Sequence, residues 1–300
     1  MSELFPAERE LSQLLVGPDS VSWQRASDAR LYLVALYPLL LQVAHPTVGA
    51  GVRDYSDFEQ RPWDRLLRTL DYVNVLVYSG PDAVDAGRRL RALHKGFRGV
   101  REDGGRYYAL EPDAYAWVHA TLLETYVAGH AHFGTPMTED EVERFYREYR
   151  GLGRLIGVRE RDLPPDWASF RAYFDDVVER ELVWNVSVDR VLNAIKHAAP
   201  PPLPLPERLW PLVRLPARRA LFVGGVGLMN AALRRRLRIR WSAADAAQFQ
   251  LLGVVSRGLS PVLPNSLKVM GPAHLRIRQQ AIEHGPLGRG ASGRAPRKAA

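Results

Sequence analysis

The side chains of this 300-residue sequence best suited to bind a metal are its eight histidines, because it contains no cysteine. The missing thiols exclude thiolate zinc sites, iron–sulfur clusters, thiolate-ligated haem and a cysteine nucleophile. His45, His94 and His119 lie on or at the end of apolar helical segments. A buried histidine needs a hydrogen-bond partner or a metal. Taken singly, a histidine in such a position is more often a hydrogen-bonded core residue than a ligand.

A second group of polar side chains shares one face of a predicted helix. Its members recur at i, i+3, i+4 and i+7 beside part of an apolar stripe: Arg65, Arg68, Thr69 and Tyr72. An arginine on an inward face requires an anionic or hydrogen-bonding partner, because the guanidinium stays charged. The simpler interpretation is an ion pair with Asp64, Asp71 or a carboxylate of another helix. The alternative is the polar wall of a cavity that holds an anionic ligand or an oxygen species.

Other catalytic motifs do not occur in the sequence. It has no His-Glu-x-x-His motif and no Gly-x-Ser-x-Gly elbow. The cluster Gly224-Gly225-Val226-Gly227 follows no predicted strand, so we interpret it as a place of close helix packing and not as a nucleotide site.

Helices must position these residues, because apolar side chains recur at helical spacing almost throughout the chain. A helix over about 28–44 is predicted to end at His45-Pro46, since the residue before proline avoids the helical region, and a loop with Gly49 and Gly51 follows. Thr138 and Glu141 form a capping-box pattern that starts another helix. The remaining predicted helices span about 63–78, 82–98, 112–132, 166–194, 216–237 and 243–259. No strand pattern of useful length is found.

The predicted fold class is therefore all-α, with a single large helical domain over 23–270 after an N-terminal extension over 1–22. The proline-rich stretch 199–206 is expected to cross the surface of this domain as a stiff connector. The roughly 60 folded residues after it would make a meagre core on their own. Residues 285–300 are predicted to form a disordered basic tail.

The net charge of +8 bears on partners more than on fold. Five arginines cluster between Arg234 and Arg240. The simpler interpretation is a solvated basic helix end, and the alternative is peripheral contact with anionic lipid; no nucleic-acid partner is expected. The start of the chain is acidic and not a signal peptide, and the longest apolar run, 31–44, is too short to span a bilayer. The expected location is cytoplasmic.

Several short strings occur in a fixed order over more than half of the chain. They are Trp23-Gln-Arg-Ala-Ser-Asp-Ala-Arg30, Leu41-Gln-Val-Ala-His-Pro46, Gly51-Val52, Arg65-Leu-Leu-Arg-Thr69, His94-Lys-Gly-Phe-Arg-Gly99, Tyr107-Tyr-Ala109, Trp117-Val-His-Ala-Thr121 and Phe133-Gly134. In these strings the sequence resembles the rubber-oxygenase catalytic domain family, which includes the latex-clearing proteins and the oxygenase MpaB of mycophenolic acid biosynthesis. The resemblance implies an all-helical, globin-like domain that binds haem b without covalent attachment.

The resemblance also implies roles for individual residues. It assigns the axial iron ligand to His94 and the distal pocket to Arg65 and Thr69. Arg68 stands where the latex-clearing branch has a lysine that can occupy the sixth position of the iron. A guanidinium is a poor iron ligand, so Arg68 is expected to donate hydrogen bonds to an oxygen species instead.

Three further residues could contact the haem or its surroundings. Arg98, one turn after His94, could pair with a haem propionate. His119 could do the same or order the surroundings of the iron. His45 could contact the cofactor or could simply cap the end of its helix.

The sequence thus predicts a haem b-dependent oxygenase or oxidase that activates dioxygen or peroxide and oxidises a small apolar organic substrate, with a possible electron donor. Arg65, Arg68 and Thr69 would polarise the oxygen species. One alternative is a non-catalytic helical protein that carries a lipid-like ligand or docks on an anionic membrane. Another is a non-haem iron enzyme that uses His45, His119, or His130 and His132, with a nearby acid.

Overall fold

The computed structural model describes residues 5–6, 8–197, 207–259 and 261–262. Within these ranges it contains thirteen α-helices, three 3-10 turns and one two-stranded antiparallel ribbon, which confirms the predicted all-α class and a mostly helical single domain. No helix in the described part of the chain is long and apolar enough to cross a membrane. The predicted connector at 199–206 and the predicted tail at 285–300 lie outside the described residues.

The elements follow one another in chain order. The helices are α1 (Glu8–Leu14), α2 (Val21–Ala26), α3 (Leu36–Ala44), α4 (Pro46–Tyr55), α5 (Pro62–Tyr78), α6 (Asp82–His94), α7 (Pro112–His132), α8 (Glu139–Leu155), α9 (Trp167–Arg180), α10 (Val186–Lys196), α11 (Trp210–Gly227), α12 (Ala231–Arg236) and α13 (Ala243–Leu259). The ribbon pairs β1 (Arg98–Val100) with β2 (Arg106–Tyr108). The 3-10 turns are Ala29–Val34, Glu160–Asp162 and Glu207–Leu209.

Helices α3 and α7 form the centre of the core, and most of their residues are buried. Trp117 of α7 is fully buried, and its indole nitrogen donates a hydrogen bond of 3.1 Å to the carbonyl of Leu41 in α3. The same indole packs on Phe174 of α9, with ring centroids 5.0 Å apart. Trp117 therefore has a hydrogen-bond partner for its only polar side-chain group and still buries a large apolar surface.

Residues 28–44, which were predicted to form one helix, form two elements instead. A 3-10 turn occupies Ala29–Val34, and α3 begins only at Leu36. The predicted loop after His45-Pro46 is wrong, because Pro46 occupies the first turn of α4, where its missing N–H removes no hydrogen bond. Gly49 serves packing in this helix, since a Cβ there would lie 2.3 Å from the Val43 carbonyl oxygen.

Three other predicted helices end earlier or divide. The helix predicted over 82–98 ends at His94, and Arg98 already belongs to β1. The helix predicted over 166–194 divides into α9 and α10, because Asn185 caps α10: its side-chain oxygen accepts from two backbone N–H groups, and its Nδ2 donates to the Val43 carbonyl at 2.7 Å. The helix predicted over 216–237 divides in the same way, with Asn230 capping α12.

The glycine cluster of α11 confirms the interpretation of close packing. A Cβ on Gly224 would lie 2.2 Å from the carbonyl oxygen of Leu33, and one on Gly225 would lie 2.7 Å from the Cβ of Leu36. The backbone of α11 therefore lies directly against the 3-10 turn and the start of α3.

Helix α5 is buried only in its C-terminal half, from Asn74 to Tyr78. Tyr78 holds this half to α2, because its hydroxyl donates to the Trp23 carbonyl at 3.0 Å. Residues 62–73 are partly or fully exposed, so the N-terminal half stands out from the core. The expectation of an inward face is therefore wrong for Arg65 and Arg68, which are both exposed.

Candidate cofactor site between α5 and α6

The best candidate ligand is His94, the last residue of α6, whose ring is half-buried. Its Nδ1 lies 2.8 Å from the Leu90 carbonyl oxygen, one turn earlier in the same helix. A carbonyl only accepts hydrogen bonds, so Nδ1 carries the proton and Nε2 carries the lone pair. No described residue forms a hydrogen bond with Nε2. Histidines that bind metals are typically oriented in this way, with the second nitrogen donating to a carbonyl or carboxylate.

The surroundings of His94 keep its ring neutral. Phe97 and Tyr115 contact the ring at centroid distances of 5.2 and 6.2 Å. Burial, assisted by the positive charge of Arg65 on the neighbouring helix α5, lowers the pKa of His94 against the opposing effect of the Leu90 hydrogen bond. A neutral imidazole is the form that can bind a metal.

Arg65 is the unusual charge of this region. Its guanidinium donates to the hydroxyl oxygens of Ser56 and Thr69, each at 3.3 Å, and no described carboxylate pairs with it. The Thr69 hydroxyl in turn donates to the Arg65 carbonyl at 2.9 Å. The side chain is exposed, yet burial and the nearby charge of Arg68 lower its pKa. Arg65 is therefore a cation at the surface of α5 whose hydrogen bonds go to neutral hydroxyl groups.

Arg68 forms an ion pair, as the simpler interpretation expected, but with a carboxylate that the interpretation did not name. Its Nη2 lies 3.0 Å from a carboxylate oxygen of Asp57, in the loop before α5, and its Nε donates to the Asp64 backbone carbonyl at 3.2 Å. Asp57 also binds Arg61, one turn later in the chain. The two arginines of this face therefore differ: Arg68 is in an ion pair, whereas Arg65 forms none with a described carboxylate.

The structure places His119 against α8. Its Nε2 donates to the Tyr149 carbonyl at 2.7 Å, and its ring stacks on that of Tyr149 at 4.8 Å. Burial lowers the pKa of His119 to about 4. His119 is thus a hydrogen-bonded core residue whose Nδ1 is buried without a partner among the described residues.

His45 is the residue that joins α3 to α4. Its Nε2 lies 3.1 Å from a carboxylate oxygen of Glu181, which follows α9. Burial lowers the pKa of His45 to about 4, so the ring is neutral at ordinary pH. No contact among the described residues joins His45 or His119 to His94.

The remaining predicted residues have other surroundings. Arg98 lies on β1 with an exposed side chain, and its backbone exchanges hydrogen bonds with the Tyr55 hydroxyl. His130 is buried and donates from Nε2 to the Arg25 carbonyl at 2.9 Å, whereas His132 is exposed. Among the described residues, no three histidine, aspartate or glutamate side chains converge into a metal-binding group.

Sequence reasoning missed three residues of this region. Tyr115 reaches His94 from α7, and Ser56 reaches Arg65 from the end of α4, and neither contact has a local signal. Asp57 did have a local sequence signal, because its four-residue spacing from Arg61 is typical of an ion pair.

A family model described as "ER-bound oxygenase mpaB/B'/Rubber oxygenase, catalytic domain" matches residues 23–258. This range covers most of the chain, and the chain therefore belongs to this family of oxygenases. Comparison with the curated proteins and with the solved structures gave no significant match.

Proposed function

We propose that this oxygenase-family chain binds haem b through Nε2 of His94 and oxidises a small apolar organic substrate with dioxygen or peroxide. One observation carries the proposal: a neutral histidine, oriented by the Leu90 carbonyl, leaves its Nε2 free beside an arginine that no described carboxylate neutralises.

The chemistry of His94 fits the axial ligand of a haem. A porphyrin supplies four ligands of its iron, so one side chain with a free lone pair suffices, and histidine is that ligand in globins and peroxidases. The chain contains no cysteine to serve instead. The hydrogen bond from Nδ1 to the Leu90 carbonyl fixes the ring orientation and raises the basicity of Nε2.

Bound haem would supply the iron at which dioxygen is activated. The contribution of α5 is electrostatic, because Arg65 brings N–H donors and a positive charge whose effect reaches His94. Donors held in place before the reaction stabilise negative charge as it develops on an oxygen atom. Thr69 positions Arg65 by accepting one of its hydrogen bonds. Arg68 contributes less in this proposal, since Asp57 already binds it.

The same geometry separates the other histidines from the cofactor. We assign His45 and His119 no contact with haem, because their Nε2 atoms already face Glu181 and the Tyr149 carbonyl. Arg98 remains available to a propionate, since no described side chain binds its exposed guanidinium.

The test is the visible spectrum of the purified protein, as isolated, after dithionite and after titration with haemin. We expect a Soret band in the wild type. His94→Ala should lose most of the haem while its helical circular dichroism is retained. His197→Ala is the matched control, because His197 is exposed at the end of α10.

Two results would overturn the proposal. One is a wild-type protein that stays colourless and takes up no haemin. The other is full haem occupancy with an unchanged spectrum in His94→Ala.

A further inference from the structure

The start of α11 lies beside the start of α5, next to the candidate site. The indole rings of Trp63 in α5 and Trp210 in α11 meet edge to face, with centroids 6.5 Å apart. Trp63 precedes Arg65 by two residues, so the first turn of α11 is adjacent to the half of α5 that carries the site.

Large apolar side chains are exposed on both sides of this contact. Leu212 is 72% exposed, Leu215 is 54% exposed, and Leu67 of α5, one turn after Trp63, is 43% exposed. Leu209 and Val213 are exposed as well. We call these five residues the α11 lip. Exposed apolar side chains clustered around one helix contact are typical of an interaction site.

The charges around the lip are positive. Residues 207–221 hold four arginines and one acidic residue. Arg219 pairs with Asp245 of α13, and Arg218 donates to the Lys196 carbonyl at 3.5 Å, but no described carboxylate pairs with Arg208 or Arg214. An exposed apolar surface flanked by arginines and by tryptophan is the composition of helices that lie in the membrane interface.

Two other surfaces, one with exposed apolar residues and one with clustered arginines, lack arginines that are free to bind lipid headgroups. The exposed apolar face of α13 includes Leu251, and the one basic residue within this helix is Arg257, whose guanidinium binds the His132 carbonyl. In the arginine cluster near α12, Arg236 donates to the Val178 carbonyl and Arg238 lies 3.8 Å from the Trp184 ring centroid. Those cations stabilise the fold.

We propose that the α11 lip docks on an anionic lipid surface, with Leu212 and Leu215 inserted and the exposed Arg208 facing the headgroups. The lip adjoins the half of α5 that carries Arg65, so docking would let an apolar substrate pass from the lipid to the site; this route rests on the proposed function. Docking itself requires only the lip.

The experiment is co-sedimentation of the full-length protein with vesicles, either of phosphatidylcholine alone or of phosphatidylcholine mixed with phosphatidylglycerol. We expect binding to the mixed vesicles that weakens as salt increases. Leu212→Glu combined with Leu215→Glu should weaken it by at least about tenfold. The matched control is Leu251→Glu combined with Val254→Glu on α13, where the exposed fractions are 62% and 59%; this variant should bind as the wild type does.

Several outcomes would overturn the proposal: no binding by the wild type, equal binding to both vesicle types, or equal losses in the two double variants. Conversion of a wild-type dimer into a monomer by the lip variant, seen by analytical ultracentrifugation without lipid, would assign the surface to a second copy instead. The haem spectrum of the lip variant is recorded in parallel. A loss of haem binding would count against the proposed function of the site, whereas a loss of vesicle binding tests docking alone.

Discussion

Replacement of Arg65 by leucine separates a role at the site from a role in the fold. The Arg65 side chain is exposed, makes two hydrogen bonds of 3.3 Å and has no described carboxylate partner. Leucine and arginine have nearly equal helix propensities. We therefore expect Arg65→Leu to lower the free energy of unfolding by less than about 1 kcal/mol.

Arg171→Leu is the matched control, because Arg171 forms an ion pair with a buried carboxylate. Its Nη1 lies 2.6 Å from a carboxylate oxygen of Glu124, which is only 7% exposed. Burial, opposed by Arg171, raises the pKa of Glu124 to about 6. Removal of the guanidinium leaves this carboxylate buried without its partner. The expected loss is about 3 kcal/mol, at the lower end for a buried pair because Arg171 is one-third exposed.

Two assays distinguish the roles. Urea unfolding at pH 7, followed by circular dichroism on the haem-free proteins, gives the free energies. Hydrogen-peroxide consumption by the haem-loaded proteins gives turnover, which should fall about a hundredfold in Arg65→Leu. In the haem-free protein, the pKa of His94 measured by NMR should rise in this variant, because the charge of Arg65 lowers it in the wild type.

A loss of several kcal/mol in Arg65→Leu, with normal turnover in the protein that remains folded, would refute this reasoning. An unchanged pKa of His94 in the same variant would show that the charge of Arg65 does not act on His94.

Three other predictions test the fold and the site. The free energy of unfolding should fall as pH drops from 6.5 towards 4, because His45 and His119, each with a pKa of about 4, protonate first in the unfolded chain. Each histidine contributes up to about 3 kcal/mol to this fall. His119→Gln should therefore weaken the dependence of the free energy of unfolding on pH, measured by urea titrations over this range. Gly224→Ala should lower the free energy of unfolding by about 1–3 kcal/mol, measured by thermal melting, because the added Cβ would lie 2.2 Å from the Leu33 carbonyl oxygen. Thr69→Val should melt like the wild type yet consume peroxide more slowly, because it releases Arg65 without disturbing the core.

Local signals explain the elements that the sequence predicted correctly. Helix α7 begins at Pro112 as its first-turn proline indicates, and α8 begins at the capping box in which Thr138 and Glu141 bond each other's backbone. In α5 the apolar spacing predicted the bounds to within one residue at the start. Each of these signals lies within a few residues of the feature that it predicts.

The errors arise where the decisive contact is distant in the chain. Pro46 follows the end of one helix and begins the next, and Gly49 of this second helix packs against Val43 and against Asn185, which lies much later in the chain. The partner of His119 is a carbonyl thirty residues later, which no spacing rule identifies. Ring contacts such as that between Trp63 and Trp210 depend on the packing of the whole chain.

The division of α5 into two halves connects the fold with the proposed chemistry. Asn74 donates within the helix to the Leu70 carbonyl, and Tyr78 binds α2, so the C-terminal half is held by the core. The half that carries Arg65 packs less, and segments with few buried contacts open at low free-energy cost. A ligand that binds there stabilises only the folded arrangement of that half. Haem bound as proposed would therefore stabilise this half of α5, whereas the core around Trp117 is held by its own buried side chains.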